Sequence, residues 1–184
     1  FNFVNTAFAP TMDGETKKKV VPELMPRALY WFRMGAAWTW VTGVVLLYVI
    51  YWAGGMMPDD FTSDPVTGES ANMFIHILLL LTFVAVFLYD AIYKSPLASN
   101  VRAVTIVSFL LIGAYVFAMQ KLGGFGYRAV NIHLGAMFGT NMAFNVWFRI
   151  WPAQQKIISA IKNGEAPDAD LLALAGLRSK HNTY

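Results

Sequence analysis

The chain has 184 residues, 57% of them hydrophobic, a formal charge of +3 and no cysteine. A soluble domain is about 45–50% apolar, so this composition, with a mean hydropathy of +0.46, excludes an ordinary water-soluble globule. The modest charge excludes a nucleic-acid patch, and the missing thiols exclude disulfides, Cys-ligated zinc, iron–sulfur clusters and thioether-linked haem.

Residues 1–27 read as a membrane-surface segment. Phe1, Phe3, Phe8 and Pro10 are suited to a lipid surface, and Lys17, Lys18 and Lys19 form a basic cluster. Pro22 and Pro26 are expected to break any long helix there. Phe1–Pro10 has no basic segment ahead of an apolar core, so no signal peptide is visible, and a start at Phe1 is expected to be processed, trimmed or incomplete.

Residues 28–151 carry four long apolar runs: Ala28–Gly54, Met73–Tyr93, Val101–Met119 and Ala129–Trp151. A helix needs about 20 apolar residues to cross a bilayer core. The expected fold is therefore an all-α integral membrane protein, a bundle of four transmembrane helices. The first run is rich in Trp and Tyr at both ends, as interfacial anchors are. Gly54–Gly55 is expected to end it, before an acidic, turn-rich loop over residues 56–72. Lys94–Asn100 links the second and third runs, and Gly123, Gly124 and Gly126 make a tight loop before the fourth, which is expected to stop at Pro152.

Residues 152–184 read as a cytoplasmic tail of short amphipathic helices. One covers Ala153–Lys162. Gly164 and Pro167 break it, and the next covers Asp168–Leu177 with Asp168 as its N-cap. Lys and Arg gather at both ends and in the second link, and none occurs in the first loop. The positive-inside rule then puts both termini in the cytoplasm.

Polar groups within such spans usually face the bundle and often have a task. His76 and His133 sit a few residues into the second and fourth runs, near the same non-cytoplasmic face. Two neutral imidazoles at matched depth suit the axial positions of a b-type haem, so the pair is the candidate metal and cofactor site. The alternative is that each histidine bonds a neighbouring helix. His133, Met137, Asn141, Asn145 and Arg149 recur every four residues, and the polar stripe of Asn141, Asn145 and Arg149 suits a polar pathway or interhelical glue. Gly35, Thr39 and Gly43, and likewise Gly135 and Gly139, read as packing seams. Asp90 and Arg33 are expected to pair or to reach the interface. No soluble-enzyme motif is present, and no catalytic residue is assigned.

The stretch His133-Leu-Gly-Ala-Met-Phe-Gly-Thr-Asn-Met-Ala-Phe-Asn-Val-Trp-Phe-Arg-Ile-Trp-Pro152 carries a pattern continued by Gln155-Lys156 and Arg178-Ser-x-His181-Asn182. It resembles the N-terminal membrane domain of bacterial membrane-bound urate hydroxylases, also called urate oxidases. Tyr30-Trp-Phe-Arg33 and Trp38-Thr-Trp40 are similar more loosely. The resemblance implies a multi-pass protein of the bacterial inner membrane and substrate oxidation, with electrons passed to the respiratory chain. The polar residues on the matched motif are His133, Asn141, Asn145, His181 and Asn182. Departures from the family pattern are the missing cytochrome c module, an end at Tyr184 where relatives continue into further helices, and Gly35-Ala36-Ala37 where relatives carry a histidine.

Two readings follow. One is a urate-hydroxylase-like protein of membrane electron transfer, with haem b between His76 and His133. The other is a non-catalytic accessory subunit packed against a larger respiratory or photosynthetic complex, which suits 14 Phe, 8 Tyr and 6 Trp. The expected partners are bound membrane lipids and other membrane subunits, with no nucleic acid. A small channel or transporter has the polar stripe in its favour but lacks an inverted repeat.

Overall fold

The computed structural model describes residues 7–53 and 73–183, and every regular element among them is helical. Phe1, Phe3, the Gly54–Gly55 helix end and the acidic loop lie outside the described residues. Helix α1 spans Gly14–Leu47 and continues as a wide, π-type turn over Tyr48–Ala53. The Asp13 carboxylate starts it, accepting from the Thr16 amide at 2.9 Å and the Thr16 hydroxyl at 2.7 Å.

Pro22 and Pro26 do not break the chain into separate helices: α1 runs through both, which corrects the expectation. Each proline removes one N–H from the ladder, freeing the carbonyls of Lys18 and of Pro22 itself. The two prolines are one turn apart, so the damage stays on one face. The neighbouring stripe of Val21, Met25 and Leu29 is buried against Ile158, and that burial holds the helix across the gap.

Helix α2 spans Met73–Ile92, and α3 spans Val101–Phe117 before a wide turn over Ala118–Leu122. Asn100 caps α3 by accepting from the Ala103 amide at 3.1 Å. Among the described residues three stretches are long and apolar enough to cross a membrane: Gly14–Ala53, Ile75–Ile92 and Val101–Leu122. The first has 40 residues, about 60 Å of helix, roughly twice the length that a bilayer core of about 30 Å requires. The run read as a fourth span forms α4, Tyr127–Phe144, and a wide turn over Asn145–Ile150. Asn131, His133, Asn141 and Asn145 make it more polar than the other three.

Helix α5 spans Trp151–Asn163 with Pro152 in its first turn, so the helical backbone expected to stop at Pro152 instead continues through it, which corrects the expectation. Having no N–H, Pro152 leaves the Phe148 carbonyl without its ladder donor, and Arg149 Nη1 donates to that oxygen at 3.1 Å. The wide turn before α5 is thus where the proline is absorbed. Gly164 ends α5 at φ +78°, a left-handed geometry that favours glycine. Asp168 caps α6, Ala169–His181, by accepting from the Asp170 amide at 2.8 Å, as the sequence predicts.

The chain divides into two compact units, Val41–Asn141 and Phe1–Trp40 with Met142–Tyr184. The core of the first gathers Leu78 and Leu79 of α2, Tyr115 of α3, Met119 of its wide turn, and Val130 and Met137 of α4. In the second, α5 buries Ile158 against α1, and Ala153 and Ile157 against Ala175 of α6. The glycine seams are not used within the chain. A side chain at Gly35, Gly43, Gly135 or Gly139 would meet nothing within 4 Å among the described residues.

Candidate functional site

In the Val41–Asn141 unit the deepest polar side chain on α4 is His133, with no exposed surface. Its Nε2 lies 3.0 Å from Trp52 Nε1, and its Nδ1 lies 2.7 Å from the Ala129 carbonyl oxygen. An indole nitrogen only donates. Nε2 is therefore the acceptor, and Nδ1 carries the proton given to Ala129: a neutral imidazole of fixed tautomer. The indole and imidazole planes are 8° apart, while Tyr51 meets the imidazole edge-on and Phe125 is tilted to it at 55°. The wide turn over Tyr48–Ala53 brings Tyr51 and Trp52 to this place. Below His133 in the chain direction, Met137 is buried and Asn141 is half-buried, with no hydrogen-bond partner for its Oδ1 among the described residues. Thr82 and Tyr115 add a second buried polar pair, with hydroxyls 2.8 Å apart.

His76 is exposed on α2. An iron needs an imidazole lone pair, and the one His133 has is engaged by Trp52. In this arrangement His76 and His133 do not fit a bis-imidazole haem, and no step is derived through one. Among the described residues no group of three or more His, Cys, Asp or Glu side chains is placed to hold a metal ion. Asp90, in the same unit, is bonded to Lys94 one turn on, at 2.9 Å.

The second unit joins the two ends of the sequence motif. Asn145 Nδ2 donates to Asn182 Oδ1 at 3.0 Å, and Asn182 Nδ2 donates to the Met142 carbonyl at 3.1 Å. The Asn182 amide is thus fixed in orientation by one bond at each end. Thirty-seven residues separate the two asparagines, and the α5–α6 hairpin closes that distance. Arg178 lies one turn before Asn182 and is 1% exposed, although its position suggested only a topology charge. Its guanidinium is the largest side chain buried so completely. His181 is half-buried. Burial, and then the positive charge of Arg178, push its pKa below the ordinary histidine value.

Of the polar stripe, Asn145 is buried and Arg149 half-buried, with its guanidinium 5.3 Å from the Phe144 ring. Arg33 lies over the rings of Trp151 and Trp147, at 4.0 and 4.9 Å. Sequence reasoning missed Trp52 as the partner of His133, since an indole near a span end reads as an interfacial anchor. It also missed the burial of Arg178. The signal was available there: Arg178, His181 and Asn182 stand at i, i+3 and i+4, one face of a helix.

The unit with Arg178, Asn145, Asn182 and His181 offers a buried cation, oriented amides and a neutral imidazole. The family model described as urate oxidase N-terminal matches residues 13–184. No curated protein and no solved structure matches the chain.

Proposed function

We propose that this chain, which belongs to the urate oxidase N-terminal family, is a urate-hydroxylase-like protein of the bacterial inner membrane. In this reading it takes a planar oxopurine anion and passes the electrons of its oxidation to a respiratory-chain carrier. The observation that carries the reading is the Asn145–Asn182 hydrogen bond, which brings both ends of the matched motif together. Buried Arg178 supplies the charge that attracts the anion, since a planar guanidinium bonds planar oxyanions through two parallel N–H groups. The asparagine amides read carbonyl and N–H edges, and neutral His181 is suited to accept a proton. Four spans with both termini in the cytoplasm complete the proposal. α4 with its wide turn serves as the fourth, its polar face turned from lipid. The distribution of Lys and Arg supports this orientation.

The test is urate-dependent reduction of a quinone analogue by membranes containing the full chain. Arg178→Lys and Asn145→Leu are expected to lower the rate at least about tenfold, the worth of one charge-assisted hydrogen bond, while His76→Ala leaves it unchanged. Unimpaired turnover in folded Arg178→Lys protein would remove the cluster from the reaction.

A second reading, an accessory subunit packed on a larger complex, is favoured by the outward aromatic faces. Trp31, Trp38 and Phe109 are among the most exposed large side chains. It predicts recovery from native membranes at fixed stoichiometry with a larger assembly, and no urate-dependent reduction by the chain alone.

A further inference from the structure

The geometry points to Arg33, held between Trp147 and Trp151, as a seat for the phosphate of an anionic phospholipid. Arg33 stands five residues inside the first apolar run, about 7.5 Å along the helix from its edge. A long cationic side chain at that depth reaches the headgroup boundary. Tyr30 and Trp31, in edge contact at 5.6 Å and both exposed, mark the same level as interfacial.

The guanidinium carbon is 4.0 Å from the Trp151 ring and 4.9 Å from that of Trp147. A guanidinium carbon placed over an indole ring is held by the ring's electron-rich face and spends none of its N–H hydrogen bonds on that contact. Its Nε is buried and has no hydrogen-bond partner among the described residues, so the terminal Nη groups are the ones that can meet a lipid. The acidic groups of α1 are engaged elsewhere: Glu23 with Arg27 at 3.3 Å and Glu15 with Lys18 at 3.8 Å. The carboxylate that precedes α1, on Asp13, is committed to Thr16.

A cation so placed is complemented by a bidentate oxyanion, and at the bilayer surface the abundant one is a lipid phosphate. A headgroup with net negative charge is favoured over a zwitterionic one. In a zwitterionic headgroup the ammonium beside the phosphate offsets its charge and repels the guanidinium. This site is independent of the urate reading.

The test is native mass spectrometry of the full chain in detergent, titrated with phosphatidylglycerol and separately with phosphatidylethanolamine. Wild type is expected to bind the first about tenfold more tightly, the scale of one charge-assisted bond. Arg33→Gln is expected to bring the two to parity. Arg33→Lys keeps the charge without the planar fork and should fall between them. Each variant is first checked for the monodispersity and unfolding temperature of a folded protein. Equal binding of the two lipids by wild type overturns the proposal, as does preference retained by Arg33→Gln. Displacement of phosphatidylglycerol by millimolar inorganic phosphate would assign the seat to free phosphate and overturn the lipid.

Discussion

At the residue scale, His133 shows how a buried polar group dictates its neighbour. Both ring nitrogens are satisfied, one by Trp52 and one by Ala129. Trp52→Phe keeps an aromatic ring, though a smaller one, and leaves Nε2 without a donor; it is expected to cost at least about 1 kcal/mol, since buried polar groups left unpaired are expensive and membrane helices soften the penalty. Thermal unfolding in detergent measures it. His181 sets a pH dependence. Its folded-state pKa lies below its unfolded value, so above the ordinary histidine range both states are neutral and the group contributes nothing. As pH falls through that range the unfolded chain takes up a proton first, and stability drops. The unfolding temperature is expected to decline on acidification, and His181→Gln to flatten the decline.

At the element scale, prolines are carried within helical backbone in two places, by different means. Pro22 and Pro26 sit inside α1 without ending it, because their lost bonds share a face and Val21, Met25 and Leu29 are buried on the next one. Pro152 coincides with a change of helix, where Arg149 serves the carbonyl it abandons. Pro152→Ala restores an N–H opposite Phe148 and is expected to relax the wide turn, rotating Asn145 away from Asn182. Hydrogen exchange in α6 should then rise. Asp168→Ala removes the α6 cap and is expected to cost about 1 kcal/mol of stability, read from the same unfolding curve. The cap was legible in the sequence because it depends on residues two apart; the survival of α1 was not, because it depends on Ile158.

At the scale of the whole molecule, three stretches among the described residues meet the length and hydropathy of a membrane span, and in the first only 6% of the most apolar window is buried by the rest of the protein. The proposed orientation, with both termini cytoplasmic, predicts that an impermeant label applied to sealed, right-side-out spheroplasts leaves residues 14–20 and 170–180 unmodified and reaches residues 56–72. Reaction at one terminus but not the other would reduce the number of spans to an odd value.

What the sequence by itself determined is whatever is local or periodic: helical content, the apolar runs, the Asp168 cap, and the family, whose motif residues stand in order along the chain. The members of the candidate cluster were legible, since Asn145, Arg178, His181 and Asn182 all stand on the motif, while the burial of Arg178 was not. Only the tertiary structure decided that Arg178 is buried, that Trp52 takes the imidazole nitrogen a haem iron would need, and that His76 faces outward. The reason is physical. A residue's neighbours along the helix follow from a 3.6-residue period, whereas the donor that reaches it from 37 or 81 residues away is set by how the helices pack.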